Sequence, residues 1–258
     1  MAFILETKAL TVRFGGLVAV DGVDLGVAPG TFHSVIGPNG AGKTTLFNLI
    51  FGLYRPTSGD VIFKGERITG LKPYQITRKG MGRSFQITNV FPNLTVLENV
   101  RLAVQAHRTQ RYNFLRAFGD GGAWADEARS VLAEVGLSER ESSPATVLAH
   151  GEKRQLEIAM LLAAQAELLL LDEPTAGMSH DDVPAVIRVI ERIKAMGKTI
   201  LMVEHKMDLI LALSDKVTVM KSGAVIAEGA PAAVAADPVV RAAYLGGLAP
   251  EGGVVLHE

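Results

Sequence analysis

No cysteine occurs in the 258-residue chain, which excludes a disulfide framework and a thiolate-held metal and is compatible with a reducing cytosol. Neither sign of charge dominates: 26 Lys plus Arg stand against 27 Asp plus Glu, so no global field draws the chain toward nucleic acid or anionic lipid. No local basic patch stands out, and no nucleic-acid partner is expected. Long apolar runs are missing too. Nothing reaches the roughly 18 uncharged residues of a membrane span, and the richest stretch, residues 158–171, is broken by Gln165 and Glu167. The opening MAFILETKAL has no basic flank and meets an acid at Glu6. That acid comes too early for a secretory apolar region, so a mature cytosolic start is expected.

What the chain does have is apolar mass, with 48% hydrophobic residues and a mean hydropathy of +0.25. This suits a parallel sheet covered on both faces and leaves room for an apolar docking surface hidden by a partner. The length fits one large α/β domain, alone or carrying a smaller inserted lobe.

Short β-rich runs at residues 4–6, 10–14, 23–27 and 61–64, joined by tight turns, predict an N-terminal antiparallel layer. Residues 32–36 are expected to enter that layer as a buried strand leading into a glycine loop and a helix over 42–51. From about 90 to 150 the texture is helical, with a capping box at Thr95 and Glu98, a second candidate box at Ser138 and Glu141, and a helix over 125–135. Beyond it, helix 153–164, strand 168–172, helix 181–196 and strand 199–203 follow βαβ grammar. A hairpin of 217–220 and 224–227 and an Ala-rich helical tail complete the chain. No repeat or low-complexity linker is present.

GPNGAGKT, from Gly37 through Pro38, Asn39, Gly40, Ala41, Gly42 and Lys43 to Thr44, fits the phosphate-loop pattern. Average residue usage gives that pattern by accident in roughly one chain of this length per hundred, and here a strand precedes it and a helix follows. The glycines let successive N–H groups face the β- and γ-phosphates, and the helix dipole adds to them. Lys43 supplies a mobile cation, Thr44 a hydroxyl for Mg²⁺, and Thr45 a hydrogen bond to the α-phosphate. The second motif is LLLLDE, an apolar strand ending in Asp172 and Glu173. Adjacent buried carboxylates do not serve stability. Asp172 is placed to hold Mg²⁺ and Glu173 to orient or deprotonate the attacking water.

GPNGAGKT, LLLLDEP, Gln86 between them, LAHGEKRQLEIAM and His205 in MVEHKMD resemble, in order, the ATPase domain of an ABC transporter. The resemblance spans nearly the whole chain. It implies an α/β phosphate-loop NTPase core with a mixed, mainly parallel sheet, an N-terminal antiparallel β layer and an inserted helical lobe. In residues, that is one domain over 1–250 (core 1–89 and 151–248, lobe about 90–150) and a frayed tail at 251–258. It also implies that Gln86 senses Mg²⁺ and the attacking water, that His205 contacts the γ-phosphate, and that Phe14 stacks on adenine. The segment 148–152 matches the signature that caps ATP held by a second subunit, placing Ala149, His150, Gly151 and Glu152 on that nucleotide. Two motifs depart from the family pattern. Ala149 replaces the usual serine and Glu152 the usual glutamine, removing one hydrogen bond, which His150 could replace in part. Ser179 stands where aspartate is common, and with Asp182 it also reads as a simple capping box.

GRSFQITNVFPNLTVLENV, DEPTAGMS and DPVVRAAYLG are similar to the ATPase subunits of branched-chain amino-acid importers, a branch that includes importers of urea and other amides. The resemblance implies Mg-ATP as cofactor, a second ATPase subunit (identical or related), transmembrane permease subunits, and indirectly a periplasmic solute-binding protein. It implies a peripheral place on the cytoplasmic face of the inner membrane, with a permease helix near Phe91 and Leu94, although these two would serve equally as lobe core. The rival is a non-transport ABC-type module. Those acting on ribosomes or DNA usually carry two ATPase halves or a long coiled-coil insertion, and this chain has neither, while a degenerate ATP-sensing module gains a little from Ala149.

Overall fold

The computed structural model describes residues 3–84, 90–108 and 121–245. Strands β1 (Leu5–Phe14), β2 (Leu17–Val27), β4 (Ser58–Phe63) and β5 (Glu66–Arg67) form an antiparallel sheet in the order β2-β1-β4-β5. The two runs expected at 4–6 and 10–14 are a single strand. Its pairing with β2 slips between Thr7 and Leu10, where Ala9 takes a φ of +44°. That bulge shifts the inward set from Leu5 and Thr7 to Leu10 and Val12, so the alternation breaks while the strand continues.

Strand β3 (Phe32–Ile36) does not join this layer, contrary to the sequence expectation. It lies inside a six-stranded sheet of order β10-β9-β3-β8-β7-β6, made with β6 (Met81–Arg83), β7 (Leu168–Asp172), β8 (Thr199–Val203), β9 (Lys216–Lys221) and β10 (Ala224–Gly229). All its pairings are parallel except β9 with β10. Every residue of β3, β7 and β8 is buried, the mark of a sheet covered on both faces. A continuous apolar run names the class of strand but not its sheet.

The two faces take alternate residues. Leu168, Leu170, Leu201 and Val203 pack with Leu46, Phe47 and Ile50 of α1 (Lys43–Ile50), which lies between the sheets. Leu169, Leu171, Ile200 and Met202 face the other way, onto α5 (His150–Ala163) and α6 (Val183–Ala195). The same core runs on into the helical lobe. There α3 (Val96–Arg108) contributes Val96, Val100 and Val104, and α4 (Gly121–Val135) contributes Trp124, Ala128, Leu132 and Val135. Such spacing keeps one face apolar. The short helices α2 (Pro73–Arg78), α7 (Met207–Leu213), α8 (Pro231–Ala236) and α9 (Pro238–Leu245) complete the described fold.

The box at the start of α3 forms: Glu98 N–H donates to Thr95 Oγ1 at 3.1 Å and Thr95 N–H to Glu98 Oε2 at 3.1 Å. The second candidate box does not. Ser138–Arg140 is one 3₁₀ turn, and the Glu141 carboxylate accepts from Arg129 Nε at 3.1 Å instead. Helix α5 begins three residues before the expected start at 153, with Ala149 as its N-cap. Among the described residues no helix is long and apolar enough to cross a membrane.

Candidate active site

Three neighbouring strands of the large sheet, in the order β3-β8-β7, end at one edge, where α/β sheets present their ligands. The loop after β3 is the glycine loop, the turn after β7 carries Glu173, and His205 follows β8. They meet in a cleft of about 520 Å³ lined by Asn39, Gly40, Ala41, Gly42, Lys43, Thr44, Thr45, Glu173 and His205, with Leu17, Val18, Ala19 and Ser222 along one wall.

Glycine is required in the loop for steric reasons. At Gly37, φ is +152° and a Cβ would lie 2.1 Å from the Met220 carbonyl oxygen. At Gly42, φ is +98° and a Cβ would lie 2.4 Å from that of Ala19. The loop is therefore pressed against β2 and β9, with Gly223 N–H donating to Ala41 O at 3.0 Å. No side chain caps α1, so its first N–H groups are left for a ligand. Lys43 Nζ is drawn back into the loop, donating to Gly37 O at 2.7 Å and Pro38 O at 3.1 Å. Burial lowers its pKa, against the pull of Glu173 and Asp172.

The acidic side is held by side chains. Asp172, 1% exposed, accepts from Arg83 Nη2 at 2.9 Å through Oδ2. Arg83, buried on β6, also donates to Asn48 Oδ1 on α1 at 2.7 Å, so it joins β7 to the phosphate-loop helix. Burial raises the Asp172 pKa, and the Arg83 charge and hydrogen bond oppose that shift. Asp172 Oδ1 is buried and has no hydrogen-bond partner among the described residues. Glu173 N–H continues the β7–β8 pairing by donating to Val203 O at 2.9 Å. Its own φ is +46°, and its carboxylate oxygen Oε1 lies 2.7 Å from His205 Nε2. A base candidate and an imidazole thus share a hydrogen bond above the phosphate loop.

Other positions named from sequence lie elsewhere. Gln86 is outside the described residues. Phe14 is half exposed at the end of β1, its ring edge-on to Tyr54 with centroids 5.4 Å apart, and it is not among the cleft-lining residues. Ala149, His150, Gly151 and Glu152 form the first turn of α5, also away from the cleft. Ala149 has no hydroxyl to cap the helix, but Glu152 accepts its N–H at 2.9 Å and Arg140 Nε at 2.8 Å. The Glu152 carboxylate is thereby engaged within its own chain. A Cβ on Gly151 would meet Asp182 Cβ at 3.1 Å, which sets this turn against the loop before α6. In that loop Ser179 Oγ accepts Asp182 N–H at 3.3 Å and donates to Asp182 Oδ2 at 2.9 Å, in a local cap. Phe91 is exposed rather than part of the lobe core.

Arg83, Asn48, Thr175 and Glu204 were not legible as partners of the site. A lone Arg before Ser-Phe-Gln carries no periodic or motif signal of its own, and neither does a Glu before a His.

The residues fit a divalent cation held largely by its substrate. Among the described residues no group of three or more His, Cys, Asp or Glu could hold a metal. Thr44 on the cleft wall and the unpartnered Asp172 oxygen are the sparse oxygen donors that Mg²⁺ accepts beside phosphates.

The fold and cleft define a phosphate-loop nucleotide-binding protein of α/β class. The family described as ABC transporter matches residues 20–176, and one described as branched-chain amino acid ATP-binding cassette transporter matches 224–249. The chain belongs to the ABC transporter family, as one of its ATP-binding cassettes. It is 40% identical, over 94% of its length and 98% of the relative's, to the high-affinity branched-chain amino acid transport ATP-binding protein BraF of Pseudomonas aeruginosa. Among solved structures, the ADP conformation of MJ1267, an ATP-binding cassette of an ABC transporter, superposes with a TM-score of 0.83 at 30% identity, covering 95% of this chain and 100% of that one. The dimeric bacterial ABC transporter cassette MJ0796 gives 0.73 at 25% identity, covering 88% and 98%.

Proposed function

We propose that the chain is the ATP-hydrolysing subunit of an importer for branched-chain amino acids, working as half of an ATPase dimer beneath permease subunits. The Glu173–His205 hydrogen bond of 2.7 Å, set beside the phosphate loop, is the observation that carries the hydrolytic reading. The carboxyl-terminal match at 224–249 and the likeness to BraF support the cargo class.

In this reading the N–H groups of the loop and Lys43 grip the β- and γ-phosphates, Lys43 turning from its loop carbonyls to the ligand. Thr44 and Asp172 would hold Mg²⁺, joined by Gln86 on the strength of the family resemblance, and the ion supplies charge neutralisation at the phosphates. Glu173 orients the water and takes its proton, while His205 holds that carboxylate and faces the γ-phosphate. Phe14, half exposed at the end of β1, is the residue the family resemblance assigns to stacking on adenine.

The turn 149–152 caps the nucleotide of the other subunit, chiefly with backbone N–H groups and helix dipole, since Ala149 lacks a hydroxyl. Closure of the dimer draws the lobes, residues 90–150, together, and a permease helix seated near the exposed Phe91 transmits the motion. The subunit sits peripherally at the cytoplasmic face of the membrane, with a solute-binding protein delivering cargo from the far side.

The test is Glu173→Gln. Nucleotide stays bound, turnover falls by about a hundredfold or more, and a nucleotide-bound dimer accumulates in size-exclusion chromatography. Wild-type turnover in that variant removes Glu173 from its role. Uptake of leucine, isoleucine or valine by vesicles carrying the assembled transporter tests the cargo, and ATP-dependent uptake of none of them removes it.

A further inference from the structure

Thr175 and Glu204 do not line the cleft, yet they are 2% and 3% exposed. A buried carboxylate destabilises a fold unless it is well hydrogen-bonded, and an apolar pair of similar volume does as well or better. The Glu204 carboxylate accepts the Thr175 hydroxyl. These partners belong to different elements. Thr175 lies two residues beyond Glu173, in the turn closed by Ala176 N–H to Glu173 O at 3.0 Å, and Glu204 immediately precedes His205.

Past the strand ends, the backbone connection between the two elements is Glu173 N–H to Val203 O at 2.9 Å. Glu173 itself holds a φ of +46°, a region non-glycine residues occupy only when their surroundings fix them. The Thr175–Glu204 bond therefore ties the turn that aims Glu173 to the residue immediately before the one that carries the imidazole.

We propose that Glu204 and Thr175 are positioning residues that form a latch between the β7 turn and the end of β8 and set the Glu173–His205 hydrogen bond. Substituting apolar residues would keep the fold and loosen that pair. The proposal rests on the ATPase reading for its effect on turnover, but its geometric content is separate.

Thr175→Val keeps shape and removes the donor; Thr175→Ser keeps the donor. Two readouts are taken: ¹⁵N NMR of the His205 imidazole in the full chain, with Glu173→Gln as the reference for a broken pair, and ATP turnover in the assembled transporter. Thr175→Val is expected to move the His205 Nε2 resonance toward its Glu173→Gln position. It should cut kcat on the order of tenfold or more while KM for ATP stays within about twofold. Thr175→Ser restores both, and Glu204→Gln, which retains one acceptor oxygen, shifts the resonance the same way but less. A folded Thr175→Val protein with the wild-type resonance and kcat overturns the latch, as does a kcat loss matched by a rise in KM. Absence of turnover in the wild-type transporter would refute the ATPase reading instead, while the imidazole resonances still decide the latch.

Discussion

The two walls of the cleft are made of different materials. The phosphate-loop wall is shaped by backbone: Gly37 and Gly42 admit carbonyl oxygens where a Cβ would stand 2.1 and 2.4 Å away, and no side chain caps the helix that follows. The acidic wall is side chain. Glu173 is held by His205, and behind the wall Asp172 is held by Arg83 and Glu204 by Thr175. A backbone wall needs particular residues only in its own stretch of chain, whereas a side-chain wall draws partners from β6, α1 and β8. The first can be read from eight consecutive letters, and the second cannot.

The sharpest way to break this contrast is Arg83→Met. It strips Asp172 of its buried countercharge and also removes the bond to Asn48 on α1, so chemical denaturation should register a loss of about 3–5 kcal/mol. A loss under about 1 kcal/mol would show that the acidic wall does not depend on its remote partner.

A smaller effect comes from beneath the backbone wall. His33, on β3, is buried, with Nε2 2.7 Å from Thr218 Oγ1. That hydroxyl donates to Glu228, so it accepts from His33, and the neutral ring carries its proton on Nε2. Burial lowers the His33 pKa from 6.5 to about 4, with Glu228 opposing and Lys216 assisting. The folded state thus disfavours the charged ring. Stability is full above the unfolded value and is lost as pH falls from 6.5 toward 4, by roughly 3 kcal/mol in total. Denaturation midpoints across that window should show this slope in wild type and lose it in His33→Gln. An identical slope in both would place the sensitivity elsewhere.

The smallest effect sits in the lobe, at a feature readable from sequence. Thr95→Ala removes the cap of α3 and should cost about 1 kcal/mol, with ATP binding unchanged. A change in nucleotide affinity as large as that in stability would tie the cap to the cleft.

Sequence legibility follows the same division. The Thr95 box, the strands at 168–172 and 199–203, the glycine loop and the acid pair are contiguous signals whose physics is local. What escaped was relational. Phe32–Ile36 read correctly as a buried strand but was assigned to the wrong sheet, because a wholly apolar run carries no record of its neighbours. Met81–Arg83 is too short to show a period, and it takes its strand identity from β7 alone. At Ala9 a bulge split one strand into two apparent ones. Glu141 had the spacing of a capping residue, but Arg129 on α4 provided a tertiary partner. Arg83 and Glu204 became meaningful only once folding had set them beside Asp172 and Thr175.

The central claim is that Lys43 and the N–H groups around it bind the terminal phosphates of a nucleotide. Isothermal titration of the full chain with Mg-ATP, wild type beside Lys43→Ala, tests this most directly. The account predicts saturable heat in the wild type and none in the folded variant at the same concentrations. Equal affinity in the two proteins would contradict it.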